Sequence, residues 1–82
     1  MIVGVAIKKD QIVYFLPEPY RHHHVIKMMK RDYADGKPHK YQGFVTDDWK
    51  YLTRKEAAIY ALENGQCSKL GYPPRLFSED LW

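Results

Sequence analysis

The sequence contains a single cysteine, and this scarcity excludes two kinds of stabilised small domain. Cys67 has no second thiol with which to form an internal disulfide, and one thiolate cannot supply a cysteine-rich zinc site. A lone cysteine near a helix end is typical of a small buried side chain. We therefore expect a protein of the reducing cytoplasm.

Long hydrophobic runs are also missing. The opening stretch MIVGVAI is apolar, but Lys8, Lys9 and Asp10 end it. A transmembrane helix needs about 20 consecutive apolar residues, and a signal sequence also needs a longer apolar core. We expect neither a signal sequence nor a membrane partner.

The sequence lacks the motifs of the common catalytic and cofactor-binding classes. It has no glycine-rich phosphate loop, no Rossmann fingerprint, no His-Glu-x-x-His motif and no His-x-Thr/Ser pair. Ser68 and Ser78 lie outside any nucleophile elbow or triad pattern. The adjacent carboxylates at residues 47–48 and 79–80 are more typical of turns and helix starts than of acid/base pairs. The sequence therefore predicts no catalytic residue, no cofactor and no enzymatic activity.

The composition is that of a small folded domain with a mild basic bias. Of 82 residues, 45% are hydrophobic and 15% aromatic, and the formal net charge is +3. We expect one domain over residues 1–82, and a homo-oligomer, because so short a chain buries only a modest core. The charge suits an anionic partner, but the long basic runs of a nucleic-acid-binding tail are missing.

Two β-rich segments open the chain. Residues 2–7 and 11–16 are joined by Lys8, Lys9 and Asp10, which predicts a hairpin with a short polar turn. The second segment, QIVYFL, is apolar almost throughout. This pattern predicts a strand that is covered on both faces.

A helix is predicted next, over residues 21–33, followed by a loop at 34–40 that contains glycine and proline. A third strand is expected at 41–46, and a turn at 47–48 leads into a short fourth strand. The prediction of a helix over residues 21–33 is based on apolar residues at helical spacing: Val25, Ile26, Met29 and Tyr33.

The second helix has the clearest boundaries in the chain. Thr53 and Glu56 form a capping-box pattern, and Gly65 is a stop signal, so we predict a helix over residues 54–64. The element order β-β-α-β-(β)-α, with an ordered C-terminal tail, predicts an α+β fold. In it, two helices cover a small, mostly antiparallel sheet.

Three consecutive histidines, His22 to His24, follow Arg21 at the predicted start of the first helix. Successive helical side chains point about 100° apart, so three in a row cannot converge on one ion, and we predict no metal site. His39 could join them only from a distant loop. The first helical turn instead favours an anion, to which neutral imidazoles and an arginine fork can donate. The alternative is that His22 packs at the core edge while His23 and His24 are solvated.

Aromatic residues supply the second part of a nucleotide-like site, because a base can stack on Tyr or Phe while basic groups hold phosphate. Phe44, beside Gly43 on a predicted strand, and Tyr20, beside the helix start, are the best placed. A basic face for nucleic acid is a less favoured possibility. Its residues would be Lys27, Lys30, Arg31, Lys37 and Lys40.

Several segments together resemble a family of small bacteriophage proteins. These segments are RHHHVI at 21–26, GFVTDDWKYLTRKEAAIYALENGQ at 43–66 and the ending LFSEDLW at 76–82. We place this family near the Thoeris anti-defence proteins, the phage sponges that sequester immune signals of the cyclic ADP-ribose type. The loop near residues 36–40 and the short length depart from the sponge pattern.

The resemblance implies a non-enzymatic oligomer in the bacterial cytoplasm that binds an adenine-containing signalling nucleotide intact, at subunit interfaces. Carried onto this chain, it implies polar contacts from Arg21, His22 and His23, and stacking on Phe44. It also implies a phosphate or ribose clamp from Arg75 and Ser78. Arg54 would be a phosphate contact or a structural partner of the acidic tail.

Two other classes of function stay open at this point. One is a phosphoesterase that uses His22 or His23 as its acid or base. The other is a module that binds nucleic acid or a host protein through its basic face.

Overall fold

The computed structural model describes residues 1–9, 11–29 and 42–82. Within these residues, one sheet and two α-helices form an α+β fold, as predicted. The elements are β1 (Ile2–Lys9), β2 (Ile12–Pro17), α1 (His22–Met28), β3 (Gln42–Thr46), β4 (Tyr51–Thr53), α2 (Arg54–Glu63) and a final 3₁₀ turn (Ser78–Asp80). The predicted loop at 34–40, the end of the first predicted helix at 30–33, and His39 lie outside the described residues.

The four strands pair antiparallel in the order β2-β1-β3-β4. Val5 lies opposite Leu16 on one side and Phe44 on the other, and Phe44 lies opposite Leu52. Side chains alternate between the faces of a strand, so these four apolar residues share one face of the sheet. Both helices cover that face.

The core lies between this face and the helices. Its members are apolar residues with almost no exposed surface: Ile2, Val5, Ile7, Val25, Met29, Phe44, Ala57, Ala58, Ala61, Cys67 and Leu76. The small alanines of α2 allow that helix to lie close to the sheet. Leu76 comes from the tail, so the predicted ordered ending is part of the packed structure, and Cys67 is buried as predicted.

The expectation that the second strand is covered on both faces was wrong. β2 is an edge strand, and Ile12 and Val13 are 54% and 40% exposed. The strand buried on both faces is β1, in which Val5, Ala6 and Ile7 are all buried in succession. A continuous apolar run does not say which of two hairpin strands takes the central position.

The helix ends are set by local capping. At α2, the Thr53 hydroxyl accepts from the Glu56 N–H at 3.2 Å, and the Glu56 carboxylate accepts from the Thr53 N–H at 3.0 Å. This is the predicted capping box. Gly65, with φ of 69°, follows the helix in the left-handed conformation that favours glycine. The helix α1 ends at Met28, short of its predicted end near Tyr33.

Candidate functional site

The chain enters α1 through Arg21, whose extended backbone precedes the first helical residue. The Arg21 N–H donates to Nδ1 of His24 at 2.9 Å. The edge of the His24 ring also meets Tyr20, with 5.3 Å between ring centroids. His24 therefore closes the first turn of its own helix.

His22 is buried, with 7% of its surface exposed. Its Nε2 lies 2.7 Å from the main-chain oxygen of Gly43, and its Nδ1 lies 3.5 Å from an Arg54 guanidinium nitrogen. A carbonyl oxygen only accepts and a guanidinium only donates. The imidazole is therefore neutral, with its proton on Nε2 and a lone pair on Nδ1.

Burial is the main reason why the pKa of His22 falls from 6.5 to about 4. The hydrogen bond to Gly43 raises the pKa in part, and the positive charge of Arg54 lowers it further. The ring also packs edge-on against Phe44, with 5.0 Å between centroids. His22 thus matches the packing alternative considered from the sequence, and it joins α1 to β3.

Arg54, the first residue of α2, extends toward the tail. Its guanidinium donates to the main-chain oxygen of Leu76 at 2.7 Å and to the Gln42 side chain, and it lies 4.3 Å from the centroid of the Phe77 ring. The Leu76 N–H donates back to the Arg54 carbonyl at 3.1 Å. Of the two roles expected for Arg54, these contacts support the structural partner of the tail, although most of them are to main-chain and aromatic groups.

Arg21 holds the last turn of the chain. It donates to Oγ of Ser78 at 3.1 Å and to the main-chain oxygen of Trp82, and it forms an ion pair with Glu79 at 3.5 Å. Ser78 itself is buried. The arginines at the starts of both helices therefore bind the tail, and we call Arg21 and Arg54 the tail clamp.

Arg75 stands beside the tail clamp and is exposed. It ends a tight turn in which its N–H donates to the Tyr72 carbonyl at 3.1 Å. Burial lowers the pKa of the Arg54 guanidinium, Glu79 opposes this shift, and the positive charge of Arg75 adds to it. Within the described part of the chain, no hydrogen bond or ion pair engages the Arg75 guanidinium.

His23 and Phe44, two of the expected ligand contacts, are not among the described residues whose side chains hydrogen-bond to the tail. His23 is exposed, and its ring lies 4.0 Å from that of His24, centroid to centroid. Phe44 is fully buried, with 0% exposure, because its strand position faces the helices. In this conformation no ligand can stack on it. An exposed aromatic in the same turn as Arg75 is Tyr72, whose ring meets Phe77 with 5.5 Å between centroids.

The described residues give no support to a metal centre. Across 1–9, 11–29 and 42–82, no three histidine, cysteine or acidic side chains are grouped so that they could hold an ion. In the same residues, no helix has the length and apolar character needed to cross a bilayer.

Sequence reasoning missed a groove on the face of the sheet that the helices leave uncovered. The groove has a volume of about 220 Å³ and is lined by Val13, Phe15, Val45, Trp49 and Tyr51. A signal for it is present in the sequence. Gly4, Ala6 and Gly43 are small residues at alternating strand positions, a pattern that leaves room for large side chains above the central strands.

The comparison with known families matches the whole chain, residues 1–82, to the model of the phage T4 y16D protein. The chain belongs to the phage T4 y16D protein family. This confirms the small bacteriophage family expected from the resemblance. No curated protein and no solved structure gives a significant match to the chain.

Proposed function

We propose that this member of the y16D family binds a phosphate-bearing adenine nucleotide, of the cyclic ADP-ribose type used as an immune signal, and sequesters it without cleavage. The observation that supports this proposal is the exposed Arg75 guanidinium beside the half-buried Arg54. Two like charges repel, and an anion placed between them or on the exposed member relieves that repulsion. Arg75 therefore offers a phosphate contact.

The surroundings of Arg75 suit a nucleotide better than a simple anion. Tyr72 begins the same turn and exposes 74% of its surface, so a base can stack on its ring while Arg75 holds phosphate. Tyr72 thus takes the stacking role that the resemblance gave to Phe44. Arg21, Arg54 and Ser78 hold the tail, and through it they set the position of this turn.

Binding without turnover is favoured over a histidine-dependent phosphoesterase by the state of His22. Both of its ring nitrogens have protein partners, and its low pKa keeps the ring neutral near neutral pH, with its one N–H already donated to Gly43. His23 is exposed, but its only described ring contact is with His24. His22 therefore has no ring nitrogen open to a substrate, and His23 has no described partner that orients it as acid/base catalysis requires.

The resemblance to the Thoeris anti-defence sponges supports the same proposal, and it suggests that sites form between subunits. An exposed turn such as residues 72–75 can be completed by a neighbouring copy. We therefore propose a homo-oligomer in the bacterial cytoplasm, and a mass measurement in solution tests its subunit number.

The test mixes the purified protein with a panel of ADP-ribose-derived and cyclic oligonucleotide signals. Melting is followed, the protein is heat-denatured, and the released material is analysed. Binding to the folded state alone raises the melting temperature. A raised melting temperature with intact ligand recovered supports sequestration. A cleaved product, or no shift with any member of the panel, contradicts it.

A further inference from the structure

The groove on the sheet face opposite the two helices is built by the close approach of aromatic side chains to glycine backbone. A Cβ added to Gly43 would lie 2.7 Å from the Tyr51 ring, and one added to Gly4 would overlap the Phe15 ring. Phe15 from β2 and Tyr51 from β4 therefore lean inward over the central strands. They leave Ala6 with 0% exposure at the floor.

Trp49 stands at one end of the groove in a costly backbone conformation. Its φ is 64°, in the left-handed region that bulky residues rarely adopt. The turn is held by Thr46, whose carbonyl accepts from the Trp49 N–H at 2.9 Å and whose hydroxyl accepts from the Lys50 N–H at 3.2 Å. Glycine or asparagine would fit this position with less strain.

Burial does not offset that cost, because Trp49 is 74% exposed. The indole makes an edge contact with Phe15, at 5.5 Å between ring centroids, and presents the rest of its surface to solvent. A strained backbone position that displays a large aromatic ring is better explained by a binding role than by packing.

One basic side chain lies over a ring of the groove, and a second follows Trp49 in the chain. The Lys8 Nζ lies 5.7 Å from the centroid of the Tyr51 ring. Lys50 follows Trp49 directly, and its ion pair with Asp48 is long, at 3.8 Å, and exposed. Such a pair is weak and is readily exchanged for another anion. Aromatic rings flanked by lysines match the alternating bases and phosphates of a nucleic acid strand.

We propose that this groove binds the bases of single-stranded nucleic acid, which stack on Trp49 and its neighbours while Lys8 and Lys50 face the phosphates. Stacking on aromatic side chains with a positive track for the backbone is a general mode of single-strand recognition. The groove is smaller than the roughly 300 Å³ of typical drug-sized pockets, so it suits one ring at a time. Duplex bases are stacked on each other and cannot enter.

The test is fluorescence anisotropy with a labelled single-stranded oligonucleotide of about 12 nucleotides, compared with its duplex. The expected result is saturable binding that favours the single strand and weakens as salt is raised. Trp49→Ala is expected to weaken binding at least about fivefold, as stacking contributions imply. Lys8→Ala is expected to reduce the salt dependence, because fewer phosphates are neutralised.

Two further variants control for folding and for nonspecific effects. Trp49→Gly suits the left-handed backbone, so it removes the ring with little effect on folding, and it is expected to lose binding as Trp49→Ala does. Ile59→Ala truncates an exposed apolar residue on α2 and is expected to leave the affinity unchanged. Equal losses in the Trp49 and Ile59 variants would overturn the proposal.

The absence of single-strand binding would also overturn it. If, in addition, Trp49→Ala dissociates an oligomer, the groove is a protein interface rather than a nucleic-acid site. Arg75→Ala separates this inference from the proposed nucleotide site. Arg75→Ala is expected to reduce binding of the signalling nucleotide and to leave oligonucleotide binding in the groove, which depends on Trp49, unchanged.

Discussion

The imidazole of His22 donates its Nε2 proton to the main-chain oxygen of Gly43, with 2.7 Å between the two heavy atoms. This hydrogen bond joins the first turn of α1 to β3. Because Gly43 has no Cβ, its backbone also lies against Tyr51 and the Leu52 carbonyl of β4. A helix and two strands thus meet at one buried contact between a neutral histidine and a glycine.

The first prediction concerns stability in acid. The pKa of His22 is about 4 in the folded protein and 6.5 as the reference for the unfolded chain. Between pH 6.5 and pH 4 the unfolded chain binds a proton at His22 that the folded protein does not bind, and this favours unfolding. The stability that neutral His22 contributes is therefore complete above pH 6.5 and is lost as the pH falls toward 4. The expected loss is roughly 3 kcal/mol of unfolding free energy, measured by urea denaturation across this range.

Replacing the titrating group provides the control for this prediction. His22→Gln is expected to be less stable at neutral pH but to show a flatter acid profile. His23→Gln removes an exposed histidine and should keep the wild-type profile. An unchanged profile in His22→Gln would mean that another group causes the acid loss.

The second prediction concerns Arg54, which connects the start of α2 to the tail. Arg54→Ala removes the hydrogen bond to the Leu76 carbonyl and the contact with the Phe77 ring. We expect a loss of about 2 kcal/mol in chemical denaturation and faster proteolysis of residues 76–82. Arg54→Lys should recover only part of this, because an ammonium lacks the planar fork. Lys55→Ala, an exposed neighbour, should behave as wild type.

The third prediction compares two glycines. A Cβ at Gly43 would collide with the Leu52 carbonyl oxygen, whereas a Cβ at Gly65 would meet nothing within 4 Å. Gly65→Ala should therefore cost only about 1 kcal/mol, because of its left-handed backbone. Gly43→Ala should lower the unfolding free energy by more than this, about 3 kcal/mol, because the strands must shift to make room for the Cβ. Thermal denaturation of both variants decides the order.

The fourth prediction concerns the N-cap of α2. Thr53→Ala removes the hydroxyl that accepts from the Glu56 N–H, and it should lower the unfolding free energy by about 1 kcal/mol. Thr53→Ser keeps an oxygen at the same place and should retain most of the stability. Equal losses in both variants would show that the methyl group, rather than the cap, is what matters.

The elements that the sequence predicted best are those controlled by neighbouring residues. The Thr53 and Glu56 capping box and the Gly65 stop each act within one helical turn, so local pattern was sufficient. The α+β class also followed, because strand-like and helix-like periodicities differ clearly.

The arrangement of the site could not be predicted in the same way. Whether His22 faces solvent or the core depends on which strand lies beneath α1, and the order β2-β1-β3-β4 arises from long-range pairing. The same pairing turns Phe44 toward the helices and places Phe15, Trp49 and Tyr51 over the opposite face. Sequence patterns identified the arginines as candidate ligand contacts. Only the fold shows that Arg21 and Arg54 are hydrogen-bonded to the tail.

Calorimetric titration with a cyclic ADP-ribose-type nucleotide decides whether Arg75 holds the phosphate, when the wild-type protein is compared with Arg75→Ala and with Lys69→Ala, a control at another exposed cation. Saturable binding is expected for the wild type and for Lys69→Ala. Arg75→Ala should lose about tenfold or more in affinity, because a charge-assisted contact to phosphate is removed. An affinity unchanged by Arg75→Ala, or no binding by the wild-type protein, would contradict the account.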